Sequence, residues 1–263
     1  VDGLSWGDTN HNDRAADMTL NGNAFAAADL SMGGSYLCAR QQGNGNTPVY
    51  CLGSNAPEVA FHEDGDSADS LWRGTYRHLD QFGQLEADAS NVSAKNISGG
   101  KSLNCFDDGN VHCRGDGPNE NDTMNMMVRQ IPNAFFPLRD LAVGDGVGCL
   151  VGANGCVRCW GSNHEAQRGN GNRNEFNFDL STPVTGFCGQ NPVLGGGLVT
   201  NVAVGTTHVC VSTANGVNVW CWGNSEQGQT GFQAHNVTRC MCPIEVTFDG
   251  NASTCPQDCR NND

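Results

Sequence analysis

The chain has 263 residues, among them 35 glycines and 14 cysteines, and its formal net charge is −14 at pH 7. This acidic excess argues against binding to the phosphate backbone of nucleic acids, which requires clustered Lys and Arg. No apolar run approaches the roughly 20 residues of a membrane-spanning helix. The sequence begins at Val1 without a signal-type apolar segment, so we expect a mature, processed product. Abundant Gly and Asn, with no helical stripe, predict turns and short strands.

The first predicted element, at residues 4–10, is half of a repeated unit. It contains Trp6-Gly7-Asp8, which is similar to Trp222-Gly223-Asn224 of the last repeat, but no hairpin precedes it. Closed circular β folds can complete one sheet with strands from both chain ends, which removes exposed edges. We therefore expect N-terminal strands to complete the last sheet, with residues 243–248, or strands close to them, as the candidate for its other half.

Four repeats of a two-stranded unit follow, at residues 30–55, 97–115, 141–163 and 202–231. The fourth repeat is the clearest, because Val202 and Val204 keep the period of two that is typical of half-buried strands. Val209 and Val211 keep it too, and Asn215-Gly216 then gives a strong hairpin signal. The repeats start roughly 45 to 65 residues apart, a period typical of propeller blades. Fragments within residues 56–91 indicate a further, degenerate repeat.

Long polar segments at residues 116–140 and 164–200 are predicted to be surface loops. The first contains an apolar group that is either a core plug or an interaction surface, namely Met124, Met126, Met127, Phe135 and Phe136. Residues 240–263 hold four cysteines and predict a disulfide-tied tail. The domain prediction is therefore a β domain over residues 1–239, followed by a tail at 240–263.

The repeats share a motif: a small residue-x-Gly-x-x-His-x-Cys segment, a hairpin, and then Val-x-x-Trp-Gly-x-Asn-x-x-Gly-Gln-x-Gly. The fourth repeat matches it at His208, Trp222, Gly223, Asn224, Gly228, Gln229 and Gly231. Residues 144–163 match well, and the repeats at Gly33 and Gly99 match in part. This pattern resembles the regulator-of-chromosome-condensation repeat. The resemblance implies an all-β fold, a β-propeller of about four to five blades built from four-stranded antiparallel sheets. Because this family has many roles, the resemblance implies little about function.

Each repeat carries one cysteine in its first strand and one in its second. Neighbouring antiparallel strands bring Cα atoms to roughly 4.5–5.5 Å, within disulfide range. We therefore predict the bonds Cys38–Cys51, Cys105–Cys113, Cys149–Cys159 and Cys210–Cys221. A bond between Cys156 and Cys188 is one option, and the pairing of Cys240, Cys242, Cys255 and Cys259 stays open.

Zinc is the rival explanation for some of these cysteines. Cys156-x-x-Cys159 and Cys240-x-Cys242 could each begin a zinc site, but no matching second pair stands at the usual distance. Fourteen cysteines favour an oxidising compartment instead. Five glycosylation sequons agree with that interpretation, at Asn91, Asn96, Asn121, Asn236 and Asn251. Together they predict a secreted, extracellular glycoprotein.

Two acidic segments, at residues 8–13 and 63–69, could bind calcium through oxygen ligands. The first lacks the central Gly and the closing Glu of a calcium loop, and a solvated acidic loop is favoured for the second. We therefore expect no cofactor or metal, with calcium as the alternative. His208 fits the repeat motif, which favours a structural hydrogen bond over catalysis. The sequence has no Gly-x-Ser-x-Gly elbow, His-Glu-x-x-His pair or phosphate loop, so we expect no enzymatic activity.

The function that these features favour is recognition by a disulfide-stiffened scaffold. Loops 56–90, 116–140 and 164–200 would present a surface to a protein or glycan partner. The alternative is a self-associating extracellular subunit of a filament or surface coat, in which open sheet edges add strand to strand between copies. A hydrolase with a site in a central channel is a third hypothesis. Nucleic acid is not an expected partner.

Overall fold

The computed structural model describes residues 19–20, 23–33, 36–53, 83–84, 86–87, 90–91, 93–101, 103–116, 123–127, 137–173, 182–188, 198–214, 218–231, 239–246 and 260–261. These residues form β-strands and turns and contain no helix, as the sequence predicts. In the described part of the chain, therefore, no helix is long and apolar enough to cross a bilayer.

The strands are, in chain order, β1 (Thr19–Leu20), β2 (Asn23–Ala24), β3 (Ala27–Met32), β4 (Tyr36–Gln41), β5 (Thr47–Gly53), β6 (Gly83–Gln84), β7 (Glu86–Ala87), β8 (Ser90–Asn91), β9 (Ser93–Ala94), β10 (Asn96–Gly99), β11 (Leu103–Asp107), β12 (Val111–Asp116), β13 (Thr123–Met127), β14 (Asp140–Val143), β15 (Val147–Val151), β16 (Val157–Gly161), β17 (Val199–Val204), β18 (His208–Thr213), β19 (Val219–Asn224), β20 (Arg239–Glu245) and β21 (Arg260–Asn261).

Four of the sheets correspond to the four repeats. The first sheet has the order β3-β4-β5-β6, with β9 also paired to β5, and the second has the order β10-β11-β12-β13. The third sheet is β14-β15-β16, and the fourth is β17-β18-β19-β20-β21. Two short hairpins, β1-β2 and β7-β8, complete the described strands. Each sheet is antiparallel and follows chain order, as expected for a meander of adjacent strands.

The chain divides into two compact units. The first comprises Val1–Asp108, His112–Asp116 and Glu120–Met127, and the second comprises Gly109–Val111, Gly117–Asn119 and Val128–Asp263. The first unit therefore holds the first sheet and most of the second, and the second unit holds the third and fourth sheets.

The prediction of surface loops at residues 116–140 and 164–200 is wrong in part, because these segments contain a strand and buried side chains. Within 116–140, Thr123–Met127 is the strand β13, which pairs with β12 so that His112 lies opposite Met127. Met-rich sequence has no strong strand preference, which hides this fourth strand from pattern analysis. Within 164–200, Val184 and Phe187 are buried in the core. They reach it because Phe187 packs against Trp220 and Trp222 of the fourth sheet.

The last described strands come from the predicted tail. β20 runs across the predicted 239/240 boundary and pairs with β19, and β21 pairs with β20. The place next to β19 is thus taken by residues 239–245. Residues 1–18 lie outside the described residues, so completion of this sheet by N-terminal strands stays a prediction.

The two faces of each sheet are distinct, because side chains alternate along a strand. We call the face that carries the first-strand cysteine (Cys38, Cys105, Cys149 or Cys210) the cysteine face and the other the opposite face. In the second unit, Cys149, Val151 and Cys159 on the cysteine face of the third sheet pack against the opposite face of the fourth. The fourth sheet contributes Val202, Val209, Val211, Trp220 and Trp222.

The first unit repeats this arrangement. On the cysteine face of the first sheet, the Ser31 hydroxyl donates to Asn104 Oδ1 at 3.4 Å. Asn104 Nδ2 in turn donates to Cys38 Sγ at 3.2 Å. Asn104 lies on the opposite face of the second sheet, because its neighbour Cys105 pairs with Ser98 on the cysteine face. Both units therefore stack a cysteine face on the opposite face of the following sheet.

Candidate functional site

Two turns that follow the third strands have the same internal geometry. We call Asn163–Gly169 the first tail turn and Ser225–Gly231 the second. In the first, the Gln167 side chain accepts from the amide of Glu165 at 2.9 Å; in the second, Gln229 accepts from Gln227 at 2.8 Å. Each turn also closes twice on itself through backbone bonds three residues apart. The shared Gln at this position is the part of the repeat motif that builds the turn.

The first tail turn is bound to the fourth sheet. Trp222 Nε1 donates to the carbonyl oxygen of Gln167 at 2.6 Å, and Trp222 is fully buried. Asn224 Nδ2 donates to Glu165 Oε2 at 3.0 Å. The Arg239 guanidinium pairs with the same carboxylate through Nε and, at 3.2 Å, through Nη2. Such a two-nitrogen contact fixes orientation as well as charge, so this turn attaches one sheet to the next.

The same ion pair controls the ionisation of Glu165. The hydrogen bond from Arg239 is the largest cause that lowers the pKa of this carboxyl below its usual value of 4.5, and the bond from Asn224 and nearby positive charge add to it. Partial burial acts in the other direction. The net effect favours the charged form of Glu165 in the folded protein.

A carboxyl whose pKa is lower in the folded state stabilises the fold above its unfolded pKa, and this contribution disappears as pH falls through the folded pKa. We therefore expect Glu165→Gln to lower the free energy of unfolding at pH 7 by about 1 kcal/mol, a modest figure because the pair is partly exposed. The difference from wild type should shrink below pH 4.5. Urea titrations over the acid range measure it. The control is Glu226→Gln in the exposed part of the second tail turn, and a deficit that does not change with pH would contradict the prediction.

The second tail turn is open to solvent where the first is covered. Gln227 and Gly231 are exposed, whereas Glu165 and Gly169 at the equivalent positions of the first turn are half-buried and buried. Gln227 occupies the position of Glu165. The first tail turn therefore packs against the fourth sheet, whereas part of the second tail turn is exposed to solvent within the described part of the chain. This makes the second tail turn the candidate binding surface.

The two turns share a positive φ at one position but carry different residues there. Ala166 has φ of 62°, and it is the only described non-glycine residue with positive φ; the equivalent Gly228 has φ of 77°. We expect Gly228→Ala to lower the free energy of unfolding by about 1 kcal/mol, since a Cβ is disfavoured there. Ala166→Gly should change it by less than about 0.5 kcal/mol, because relief of strain is offset by the loss of a buried methyl and by backbone entropy. Thermal unfolding of both variants tests this asymmetry, and equal and opposite effects would contradict it.

Disulfide bonds join first and second repeat strands. The structure contains Cys105–Cys113, Cys149–Cys159 and Cys210–Cys221, each with Cα atoms 4.1 Å apart, and also Cys156–Cys188 at 4.6 Å. The first three are among the four pairs expected from the repeats. Cys38 is disulfide-bonded and lies opposite Cys51 in the β4–β5 register. Cys240 and Cys242 are disulfide-bonded too, so neither pair considered for zinc is available to a metal.

The comparisons with known proteins concern the fold. The sequence matches no protein-family model, and it matches no curated protein. Solved structures do match. Human WBSCR16 aligns with a TM-score of 0.63 and 17% identity over 94% of this chain and 63% of that one. Yeast RCC1 (Prp20), in its complex with Kap60, aligns with a TM-score of 0.62 and 14% identity over 89% and 51%.

The fold is that of an RCC1-type β-propeller. A further structure, Prp20p from Saccharomyces cerevisiae, described with its binding properties to Gsp1p and histones, gives a TM-score of 0.59 at 14% identity and covers 86% of this chain and 52% of that one. The chain therefore spans about half to just under two thirds of the length of these proteins. At such identities the match establishes the propeller fold, and function has to be argued from the residues.

Two of the five predicted glycosylation sites, Asn91 and Asn96, lie among the described residues. Asn96 lies in β10, half-buried, and its Nδ2 atom donates to Asp107 Oδ2 at 3.1 Å. Asn91 is at the end of β8, and nothing is described of its side chain. Asn121, Asn236 and Asn251 lie outside the described residues, as do both candidate calcium segments. Among the described residues no group of His, Cys, Asp and Glu could hold a metal ion.

His208 begins β18 and is half-buried beside Gly205. Burial lowers the pKa of its imidazole, which favours the neutral form. The expected structural hydrogen bond and the absence of a catalytic role stay predictions.

Sequence patterns missed the residues that join consecutive propeller sheets. Asp140 Oδ2 accepts from the amide of Val202 at 2.7 Å, and Asp29 Oδ2 accepts from the amide of Ile97 at 3.4 Å. Each Asp also accepts from the amide that follows it. A signal was available: aligned repeats carry Asp29, Asn96, Asp140 and Asn201 at one position. The two Asp residues at this position are the ones that accept from the following sheet of the same unit.

Proposed function

We propose that this protein is a secreted, non-enzymatic binding module that recognises a protein or glycan partner. One observation carries the proposal: the tail turn that attaches the third sheet to the fourth is repeated after the fourth sheet with Glu226 and Gln227 exposed. Yeast RCC1 has been solved bound to Kap60, and Prp20p is described as binding Gsp1p and histones. Propellers of this type thus serve as protein-binding scaffolds elsewhere, which supports the same use here.

The distribution of charge supports a basic partner surface. Ten acidic and ten basic residues lie among the described residues, so the whole net charge of −14 is carried by the other segments of the chain. The strands and tail turns are neutral overall, and the intervening segments are acidic. Acidic segments attract positively charged partners and accelerate their encounter.

The cysteines support an extracellular setting. The bonds that join first and second strands each close a short loop, for which the chain-entropy model gives about 2 to 3 kcal/mol of stabilisation. Such bonds persist in oxidising compartments. The propeller's many short strands, few aromatic residues and bonded hairpins fit a scaffold that remains rigid outside the cell.

The decisive experiment is capture from extracellular fluid by the full glycosylated chain made in a secretory host. We expect the wild-type protein to retain specific components that the double variant Glu226→Arg and Gln227→Arg loses, because that variant inverts the charge of the exposed tail turn. The control is Glu245→Arg, which changes another exposed carboxylate, on β20. Identical binding profiles for wild type and the double variant would refute the second tail turn as the recognition surface.

The non-enzymatic part of the proposal has its own test. The sequence contains none of the hydrolase motifs sought above. A screen of ester, glycoside and peptide substrates should give no turnover above that of a heat-denatured sample. Turnover that is lost on denaturation would overturn this part.

A self-associating subunit is the second candidate function. It is favoured by exposed apolar residues on the first strand of the first sheet, Leu30 and Met32. Monomeric proteins seldom leave large adjacent apolar side chains uncovered without a role in binding.

A further inference from the structure

Stacking of sheets in this chain follows one rule, which is visible in both units. The cysteine face of one sheet packs against the opposite face of the next: the third on the fourth, and the first on the second. The stacked sheets approach closely at residues that directly follow their first strands. A Cβ at Gly144 would overlap the carbonyl oxygen of Gly205, and a Cβ at Gly33 would overlap that of Gly100. The same glycine of the motif thus permits the same approach in each unit.

The opposite face of the first sheet is partly exposed, although the stacking rule would place a cysteine face against it. At one aligned position, Ile97, Leu141 and Val202 have exposed fractions of 6%, 4% and 8%, whereas Leu30 is 57% exposed. Met32, two residues further along the same face, is 70% exposed. The apolar side chain at this position is buried in the second, third and fourth repeats and exposed in the first.

The cysteine face of the fourth sheet is more exposed than the cysteine faces of the other three sheets. Cys38, Cys105 and Cys149 are completely buried in the first three sheets, whereas Cys210 is only half-buried. Its neighbour in the β17–β18 register, Ala203, is exposed. The two uncovered surfaces are therefore of the two kinds that pack together inside the chain.

The chemistry of the two surfaces is compatible. The described strand residues of β3–β5 on the opposite face and of β17–β19 on the cysteine face include no Asp, Glu, Lys or Arg. No charge would be desolvated on contact, which is the usual obstacle to association. Part of the first surface is already covered, since Ala39 is buried and Tyr50 contacts Phe25. The open part is the first strand, where Leu30 and Met32 are exposed.

We propose that the fourth sheet of one copy of this chain docks through its cysteine face, at Ala203, on the first strand of the first sheet of a second copy, at Leu30 and Met32. The inference rests on the second candidate function and identifies its surfaces. A second copy is the partner that fits best, because the contact continues an interface that the chain forms twice internally. The contact is head-to-tail, and such a contact closes into a ring or extends into a filament.

Complementation between two blocked variants tests the proposal. The double variant Leu30→Lys and Met32→Lys places charge on the first surface, and Ala203→Lys places it on the second. In a sample of one variant, every copy has the same surface blocked, so no two copies can dock. Light scattering after size exclusion should then show only monomers. An equimolar mixture contains one complementary pair of intact surfaces, and its mass should double to that of a heterodimer. The wild type should form larger species as concentration rises.

The control is Leu198→Lys, which removes an apolar side chain that is 46% exposed but lies on neither surface; it should assemble like wild type. The mixture also reports folding, because an unfolded variant could not complement. A wild type that stays monomeric at every concentration, or a mixture of variants that stays monomeric, would overturn the proposal. The first result would mean that another sheet or another protein covers these surfaces. Partner capture by the second tail turn is measured separately, so it can succeed when self-association fails.

Discussion

Replacing Trp222 with Phe is expected to lower the free energy of unfolding by about 3 kcal/mol. The indole is fully buried, and its Nε1 atom donates to the carbonyl oxygen of Gln167 at 2.6 Å. Phe leaves a small cavity and leaves that carbonyl without its donor, and both changes are costly in a core. The loss should also loosen the first tail turn, because Trp222 is one of the three side chains that attach it to the fourth sheet.

Trp160 supplies a matched control for this experiment. It holds the aligned position in the third sheet and is equally buried, but its Nε1 atom has no hydrogen-bond partner within the part of the chain that the structure describes. Trp160→Phe therefore creates a comparable cavity while removing an unsatisfied donor, and we expect it to cost about 1 kcal/mol. Denaturant titrations of both variants measure the difference, which reports the bond to Gln167. Equal costs would show that the bond contributes nothing.

The fold was predictable because repetition amplifies weak local signals. A single pair such as Val209 and Val211 indicates a strand only weakly, but four hairpins with cysteines at the same place define a repeated sheet. The same repetition indicated which cysteines face each other, and Cys149–Cys159 and Cys210–Cys221 are opposed in the register. These features are local, since each depends on residues within one hairpin.

The contacts between sheets were not predictable in this way. Glu165 meets Arg239 across 74 residues of sequence, and Asp140 meets Val202 across 62. Neither pair belongs to a local pattern. In an acidic chain, the sequence does not distinguish a carboxylate that joins two sheets from one that is exposed to solvent. Phe187 was assigned to a polar loop for the same reason, because its burial depends on the tryptophans of a distant strand. The candidate surface is defined by the difference in exposure between two similar turns, and this difference depends on tertiary contacts of the first turn.

After Trp222→Phe, we expect Asp140→Asn to cause the largest loss in the free energy of unfolding. One of its carboxylate oxygens accepts from the amide of Val202 in the next sheet at 2.7 Å, and the other accepts from the amide of Leu141 at 2.9 Å. Asn has one acceptor oxygen, so Asp140→Asn must leave one of these N–H groups facing an NH₂ group. Hydrogen bonds to charged groups contribute about 1.5 to 3 kcal/mol, and we expect a loss of about 2 kcal/mol. The amide of Val202 should also exchange its hydrogen faster, because the first strands of the two sheets separate more readily.

Two variants at the equivalent positions separate this role from a general effect of charge. Asp29→Asn should cost about 1 kcal/mol, since its bond to the amide of Ile97 is longer, at 3.4 Å. Asn201→Asp makes the reverse change at an exposed position of the fourth sheet and should alter stability by less than about 0.5 kcal/mol. If Asp140→Asn and Asn201→Asp have effects of the same size, the carboxylate acts through overall charge and does not join the sheets. A graded loss from Asp140 to Asp29 to Asn201 would instead establish that the acidic positions of the repeat hold the two sheets within each unit together.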